Sequence, residues 1–461
     1  MIPRVVIAAA SSGAGKTTVA SGLIGALRAR GDVVQGFKVG PDYIDPSYHA
    51  LASGRPGRNL DAFLSGPELL APLVRHGSQG ADIAVIEGVM GLFDGASGRG
   101  ELASTAQAAK LLGAPVILVV DGSAMARSAA ALIHGFRSFD PDLTLGGVIF
   151  NRVGSDAHEQ LLREAAAAVP GGPVRVLGAL RRDQRLAAPE RHLGLTPVSE
   201  REPRARAALD SLSAAVAAQV DLAAVSALAR SARQQPGLSW SADGGPRESQ
   251  APIAIARGPA FSFHYQENLE LLAGAGAELV AFDPTVDEHL PEGTDALILA
   301  GGFPEIYGAE LSANTSLRCE ITALAAAGAP ILAECGGLLY LGQELDGHEM
   351  CGVLPLRARM TERLTLGYRE ATAATATPWL AAGALLRGHE FHYSQVEPVA
   401  GNGLRRAWNL SAHGRTRQDG AVVGGIQAGY LHVHWAAYPE LAAGFVAAAA
   451  RSAVAAGARR A

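Results

Sequence analysis

Ile7-Ala-Ala-Ala-Ser-Ser-Gly-Ala-Gly-Lys-Thr-Thr18 decides how the first half of the chain folds. An apolar run, Val5 to Ala10, ends in Ser11-Ser12-Gly13-Ala14-Gly15-Lys16-Thr17-Thr18. A helical stretch, Val19 to Arg30, follows, with Leu23, Leu27 and small residues on one face. Strand, glycine-rich turn and helix, in that order, form the setting that a phosphate-binding loop needs. Gly13 and Gly15 let backbone N–H groups close around phosphate oxygens, and the helix N-terminus adds the positive end of its dipole. Lys16 is placed to reach β- and γ-phosphates, and Thr17 to offer its hydroxyl to Mg²⁺. Thr18 completes the run. One position departs from the pattern: Ala10 stands where the first glycine of the motif falls.

Composition narrows what such a site serves. The 461 residues suffice for two or three domains with full cores. A net charge of −5 and the lack of any long Lys/Arg run give no reason to expect nucleic acid. The N-terminus enters a strand without a basic region and cleavable apolar segment, and no apolar stretch reaches membrane-spanning length uninterrupted. Cys319, Cys335 and Cys351 are too few for a disulfide framework. The expectation is a cytoplasmic enzyme. Only three of the 39 basic residues are lysines: Lys16, Lys38 and Lys110. Where arginine is otherwise used, a retained lysine suggests a need for a compact ammonium.

Moving outward, Val33 to Val39 reads as a second strand and runs into Lys38-Val-Gly-Pro-Asp-Tyr-Ile-Asp-Pro46. Strand ends are where α/β sheets bind ligands. Asp42 and Asp45 are candidates to hold Mg²⁺ or orient a nucleophile, and Lys38 to neutralise a transferring phosphoryl group. A Pro-bracketed turn whose aspartates cap backbone N–H groups explains the same residues equally well. A third strand, Ile83 to Ile86, leads to Glu87-Gly-Val-Met-Gly-Leu-Phe-Asp94, which sets Glu87 where a Walker B acid stands and Asp94 in a site wall. Strands at Pro115–Val120, Leu145–Phe150 and Val174–Leu180 continue a βα alternation, which argues for a parallel sheet covered on both faces. Asn151, at a strand end, either reads a nucleotide base or forms a turn. A loop around Arg181–Leu195 is placed to close over a site, and Glu202 to Arg233 reads as helix. Pro and Gly among polar residues make 234–251 a linker, dividing the chain into domains 1–233 and 252–461.

The second half restarts with strands at Ile253–Ala256, Glu278–Phe282 and Ala296–Ala300, the last opening onto Gly301-Gly-Phe-Pro-Glu305. Pro330 to Ala333 is followed at once by Glu334-Cys335-Gly336-Gly337 and an apolar helix. A cysteine on a sharp strand-to-helix turn has the mechanics of a nucleophile elbow. A helix N-terminus there is expected to lower the thiol pKa. Tyr430-Leu-His432-Val-His434-Trp435 supplies histidines in a strand-like run, with both rings on one face if the run stays extended. Together these residues fit a Cys–His amide hydrolase with a backbone oxyanion hole. His389-Glu390-Phe391-His392 lacks a third ligand at metal spacing and reads as site wall or core.

Ala10–Thr18, Lys38–Pro46, Glu87–Asp94, Gly301–Glu305, Ala333–Gly337 and Tyr430–Trp435 together resemble the cobyrinic/hydrogenobyrinic acid a,c-diamide synthases, in family order and spacing over nearly the whole chain. The resemblance implies an α/β fold: a P-loop domain of the dethiobiotin-synthetase type with a parallel sheet, then a class I glutamine amidotransferase domain. It implies ATP and glutamine as co-substrates, Mg²⁺ as cofactor, and a corrinoid as the acceptor in cobalamin biosynthesis. Cys335 would attack glutamine, with His432 as base and Gly302 and Gly336 forming the oxyanion hole. Gly13, Gly15, Lys16, Thr17 and Thr18 would bind nucleotide. Lys38, Asp42, Tyr43, Asp45 and Asp94 would serve phosphoryl transfer and substrate, and Thr17, Asp45 and Glu87 the metal. A homodimer is open as the assembly, as are nickel-sirohydrochlorin as acceptor and His434 as base. The glutamate that other class I amidotransferases carry two residues after the base is missing, replaced by His434. A partitioning-type P-loop ATPase is a second class of reading, but those proteins carry an extra lysine where Ala10 and Ser11 stand and have no use for Cys335.

Overall fold

The computed structural model describes residues 1–183, 190–191, 194–195, 202–243, 251–399 and 404–460. They form two compact units, Met1–Ser241 and Ala242–Ala461.

The first unit is built on β1 (Arg4–Ala9), α1 (Lys16–Ala29), β2 (Val34–Val39), α2 (Ile44–Ser53), β3 (Arg58–Leu60), β4 (Ile83–Glu87), β5 (Val116–Asp121), β6 (Leu145–Val153) and β7 (Val176–Arg181). The strands make one parallel sheet in the order β3-β2-β4-β1-β5-β6-β7. β1 and β4 are buried from end to end, which is why Val5–Ala9 and Ile83–Ile86 read as continuous apolar runs rather than alternating ones, with the charged Arg4 and Glu87 buried at their ends. This order brings the ends of β2, β4 and β1 side by side. Lys38 of β2 and Ile7 of β1 both stand in register with Glu87 of β4. Three loops far apart in sequence therefore open at one place.

Two sequence expectations are refined. The helical run from Glu202 is two helices, Glu202–Gln219 and Leu222–Arg230. The break falls at Asp221, whose side chain caps the second helix by accepting from the Ala224 N–H at 2.8 Å. Residues 234–241, the start of the expected linker, pack on the first unit. Trp240 is buried edge-on against His76 at 4.9 Å, and Arg75 donates to the Leu238 carbonyl at 2.7 Å. The loop expected between Arg181 and Leu195 lies largely outside the described residues, apart from paired strands at Glu190–Arg191 and Gly194–Leu195.

The second unit carries a six-stranded sheet in the order Ala277–Phe282, Ala251–Ala256, Ala296–Leu299, Ile331–Glu334, Ile426–Gly429, Ala421–Val423, parallel except for the last. A second, largely antiparallel sheet pairs the long strands Leu356–Ala373 and Leu385–Pro398, with His432–Val433 added at the edge of the latter. Leu299, Ile331, Leu338, Leu341 and Phe261 form the core beneath the turn at Cys335. Among the described residues no helix is long and apolar enough to cross a membrane.

Candidate functional site

In the first unit the turn after β1 takes the shape its glycines permit. Gly13 and Gly15 have φ of 78° and 97°, a region L side chains rarely occupy, and Gly15 is the cap residue of α1. A Cβ on Gly15 would stand 2.1 Å from the Asn151 amide nitrogen. That amide donates to the Ala14 carbonyl at 3.0 Å. Asn151 thus clamps the loop from β6, and its Oδ1 accepts from the Arg152 N–H at 2.9 Å. Lys16 folds back across the turn, donating to the carbonyls of Ser11 at 3.0 Å and Met90 at 2.5 Å. Burial, then the neighbouring Lys38, pulls its ammonium down to about 8. Thr18 follows, half-buried, in the first turn of α1.

Lys38, Asp45, Glu87 and Thr17 converge. The Lys38 ammonium lies 2.5 Å from Asp45 and 2.9 Å from Glu87, and the Thr17 hydroxyl donates to Glu87 at 2.6 Å and lies 3.2 Å from Asp45. Glu87 is fully buried. Burial alone would raise its pKa, but Lys38 and His49 overcome that and hold the carboxyl well below its usual range. Asp45 goes the other way: burial, then Asp42 and Glu87, raises it well above its usual range. The two aspartates of the Pro-bracketed turn have separate jobs. Asp42 accepts from the Ile44 and Asp45 N–H groups at 2.8 and 3.0 Å and so starts α2, whereas Asp45 faces Lys38. Tyr43 is half-buried between them. Asp94 accepts from the Gly91 N–H at 3.0 Å, which curls the loop after β4 back toward Lys16.

Two residues of this cluster were not singled out from the sequence. His49 is completely buried, with Nε2 2.7 Å from the second oxygen of Glu87. Its signal was its place one helical turn after Asp45, on the same face of α2. Asn59 on β3 donates to the carbonyls of Gly40 and Asp42, at 2.9 and 2.6 Å, and fixes the turn that delivers Asp45.

In the second unit Cys335 sits between the strand Ile331–Glu334 and the short helix Gly336–Leu341 with φ 48° and ψ −100°. No other residue of the elbow carries a side chain in so strained a region. Its N–H is held by the Gly429 carbonyl at 2.7 Å, and its sulfur lies 3.9 Å from the Phe391 carbonyl. The expected low thiol pKa is corrected. Burial, then the carboxylates of Glu305, Glu334 and Glu390, pushes the thiol far up, against a smaller opposing pull from the Gly336 N–H. A six-residue helix offers too little dipole to reverse this.

The Gly301-Gly302 turn closes on the elbow. The Gly302 nitrogen lies 3.1 Å from where a Cβ on Gly336 would be. Gly302 itself has no room for a side chain, since a Cβ would stand 2.1 Å from the Ala260 carbonyl oxygen. The Gly302 backbone nitrogen is therefore held close to Gly336, the residue that follows the cysteine.

The two histidines part company. The extended run lasts only for His432–Val433, after which the chain turns at His434 into a 3-10 turn. His432 packs against Gly301, where a Cβ would meet its ring at 2.5 Å, and its Nδ1 lies 3.5 Å from Glu334, the residue before the cysteine. His434 faces away, toward Glu267 at 3.4 Å and the Tyr265 ring at 4.6 Å. The wall opposite is His389–His392. Glu390 is fully buried; burial would raise its pKa, but His392, Arg417 and Arg369 hold it down at about 2, with Arg369 2.5 Å away. His392 stacks on Tyr430 at 3.6 Å.

Comparison with known proteins finds a family for each unit. Residues 5–195 match the CobQ/CobB/MinD/ParA nucleotide binding domain, and residues 252–439 the CobB/CobQ-like glutamine amidotransferase domain. The chain is 55% identical to hydrogenobyrinate a,c-diamide synthase of Streptomyces coelicolor over 96% of its own length and 97% of that protein's. It is 52% identical to the enzyme of the same name from Mycobacterium tuberculosis, covering 97% and 98%. With cobyrinate a,c-diamide synthase of Syntrophotalea carbinolica the identity is 44%, covering 96% and 98%. Identity of this level, sustained along both units, means that the chain belongs to the a,c-diamide synthase family.

Proposed function

We propose that the chain amidates the a and c side-chain carboxylates of hydrogenobyrinate, using ATP and glutamine, in cobalamin biosynthesis. The observation that carries the reading is the presence in one chain of a phosphate-binding loop facing two buried acids and a strained cysteine elbow facing a glycine oxyanion turn. Higher identity to relatives named for hydrogenobyrinate than to one named for cobyrinate favours the metal-free corrinoid.

In the second unit His432 takes the proton of the Cys335 thiol as sulfur attacks the glutamine carboxamide, and the N–H groups of Gly302 and Gly336 hold the resulting oxyanion. The proton passes to the departing ammonia, and water releases glutamate from the thioester. Transfer of the thiol proton to His432 supplies the nucleophilic sulfur. In the first unit a substrate carboxylate attacks the γ-phosphorus of ATP and ADP leaves. Ammonia then attacks the acyl phosphate, loses a proton and expels phosphate. A carboxylate is a poor electrophile, and this activation makes it a good one. Lys16 and Lys38 balance charge on the transferred group.

Mg²⁺ takes hard oxygen donors. Thr17, Asp45 and Glu87 bring such oxygen donors together, with the Thr17 hydroxyl 2.6 Å from Glu87 and 3.2 Å from Asp45, a donor chemistry that fits the ion. Those three residues would hold it, and it would neutralise charge on the ATP phosphates.

Two outcomes are expected here. A lysine held at about 8 favours its neutral form, so the free protein gains stability as pH climbs from there toward 10.5. A bound triphosphate reverses that preference. About a unit above that pKa, nucleotide binding takes up a proton, read by calorimetry in buffers of different ionisation enthalpy, and Lys16→Arg abolishes the uptake. Equal heats in all buffers for the wild type would contradict the placement of Lys16. Separately, His432→Asn is expected to lower glutamate release by roughly two orders of magnitude or more, and His434→Asn by clearly less. The reverse ranking would make His434 the base.

The reading as a whole is tested by incubating the protein with ATP, glutamine and either hydrogenobyrinate, cobyrinate or nickel-sirohydrochlorin. Mass spectrometry is expected to show two successive amidations of hydrogenobyrinate, with glutamate and ADP formed. Preferential amidation of nickel-sirohydrochlorin would overturn the choice of substrate.

A further inference from the structure

The base of the glutaminase site lacks the carboxylate that other class I amidotransferases place two residues later, and His434, which stands there, turns toward Glu267. What orients His432 comes from another strand. His389 on Leu385–Pro398 is the register partner of His432, and the two rings lie face to face at 4.9 Å with 16° between their planes. Both side chains are about 1% exposed. The far edge of His389 is anchored, because its Nε2 is 2.8 Å from the hydroxyl of Tyr265, itself buried just before the helix Gln266–Gly274. On the other side His432 meets Gly301 and, through Nδ1, Glu334. The ring is thus sandwiched in plane, with one carboxylate at its edge.

We propose that His389, anchored by Tyr265, is a positioning residue that holds the His432 ring in its productive plane, in place of the missing carboxylate. A ring held by stacking loses little orientation when it takes a proton, provided that the stacking partner carries no charge. Burial, then His432, Arg369 and His434, keeps His389 well below its ordinary pKa, so it stays neutral and does not oppose the imidazolium formed at His432. The π face of a neutral imidazole is also a favourable surface for that cation. The inference rests on Cys335 and His432 being the glutaminase pair.

The test is steady-state glutamate release by the full chain. His389→Ala is expected to lower kcat roughly 10- to 100-fold with the KM for glutamine changed less than about threefold, the signature of a lost orientation rather than lost binding. His389→Phe keeps a flat ring on His432 and is expected to recover most of the loss. Tyr265→Phe frees the anchor and is expected to cost kcat several-fold. An unchanged kcat in His389→Ala, a loss confined to KM, or a His389→Phe enzyme as slow as His389→Ala each overturn the proposal. Should His389→Ala fail to fold, the comparison of His389→Phe with Tyr265→Phe decides: a phenylalanine ring that leaves kcat below about a tenth of wild type contradicts it. Wild-type protein that releases no glutamate refutes the underlying reading instead, which keeps the two failures apart.

Discussion

Cys335→Ser is expected to lose glutamine-dependent amidation by about three orders of magnitude or more, the scale of removing a covalent nucleophile. With ammonium salts as nitrogen source, the same variant is expected to amidate at close to the wild-type rate. The reason is the division of labour. The sulfur, the Gly301-Gly302 turn and His432 belong to Ala242–Ala461, while Lys16, Lys38 and the acids belong to Met1–Ser241. Serine has nearly the same shape and keeps the elbow, but its hydroxyl is a far weaker nucleophile in a site that already disfavours the charged form of a thiol. The measurement is product formation from the two nitrogen sources, side by side. Retained glutamine-dependent synthesis would remove Cys335 from the mechanism.

Glu87→Gln is expected to act on the opposite pattern, lowering amidation from both nitrogen sources by roughly 10²- to 10³-fold, the range seen when a preorganised electrostatic contact is lost. The carboxylate of Glu87 serves Thr17 and Lys38 with one oxygen and His49 with the other. An amide keeps its acceptor oxygen for Lys38 and Thr17 only by turning its N–H toward His49, which must then take the tautomer whose Nε2 accepts. The change also leaves the Lys38 ammonium, buried and 2.5 Å from Asp45, with one counter-charge fewer. Glutamate release by the second unit provides the control. Near-normal amidation with ammonium in this variant would detach Glu87 from the nucleotide site.

Much of this was legible in the sequence because function sits where regular structure stops. β1 and β4 are largely apolar, β2 is a buried strand of mixed composition, and the three lead into Ser11–Thr18, Glu87–Asp94 and Lys38–Asp45, ends that a parallel sheet gathers on one side. The cysteine elbow was legible for the same reason: Glu334-Cys335-Gly336-Gly337 interrupts an apolar strand and an apolar helix. What escaped depends on contacts between distant segments. His49 looks like any histidine inside a helix until β4 sets Glu87 beside it. Asn151 at the end of β6 gains its purpose only from the close approach of Gly15. The direction of the Cys335 pKa was missed because the helix that follows is local and visible, whereas Glu305 and Glu390 arrive from other strands and turns. The equivalence of His432 and His434 failed because the strand they share ends after Val433, a boundary set by pairing with Gly388 and His389 rather than by local sequence.

In this reaction glutamine nitrogen replaces a carboxylate oxygen that leaves on phosphate. Hydrogenobyrinate labelled with oxygen-18 in its carboxylates, incubated with ATP and glutamine carrying nitrogen-15 in its amide, tests this in one reaction. Each new amide is expected to carry nitrogen-15, and inorganic phosphate to gain one oxygen-18 atom for every amide formed. Inorganic phosphate free of oxygen-18 while amides accumulate would contradict it.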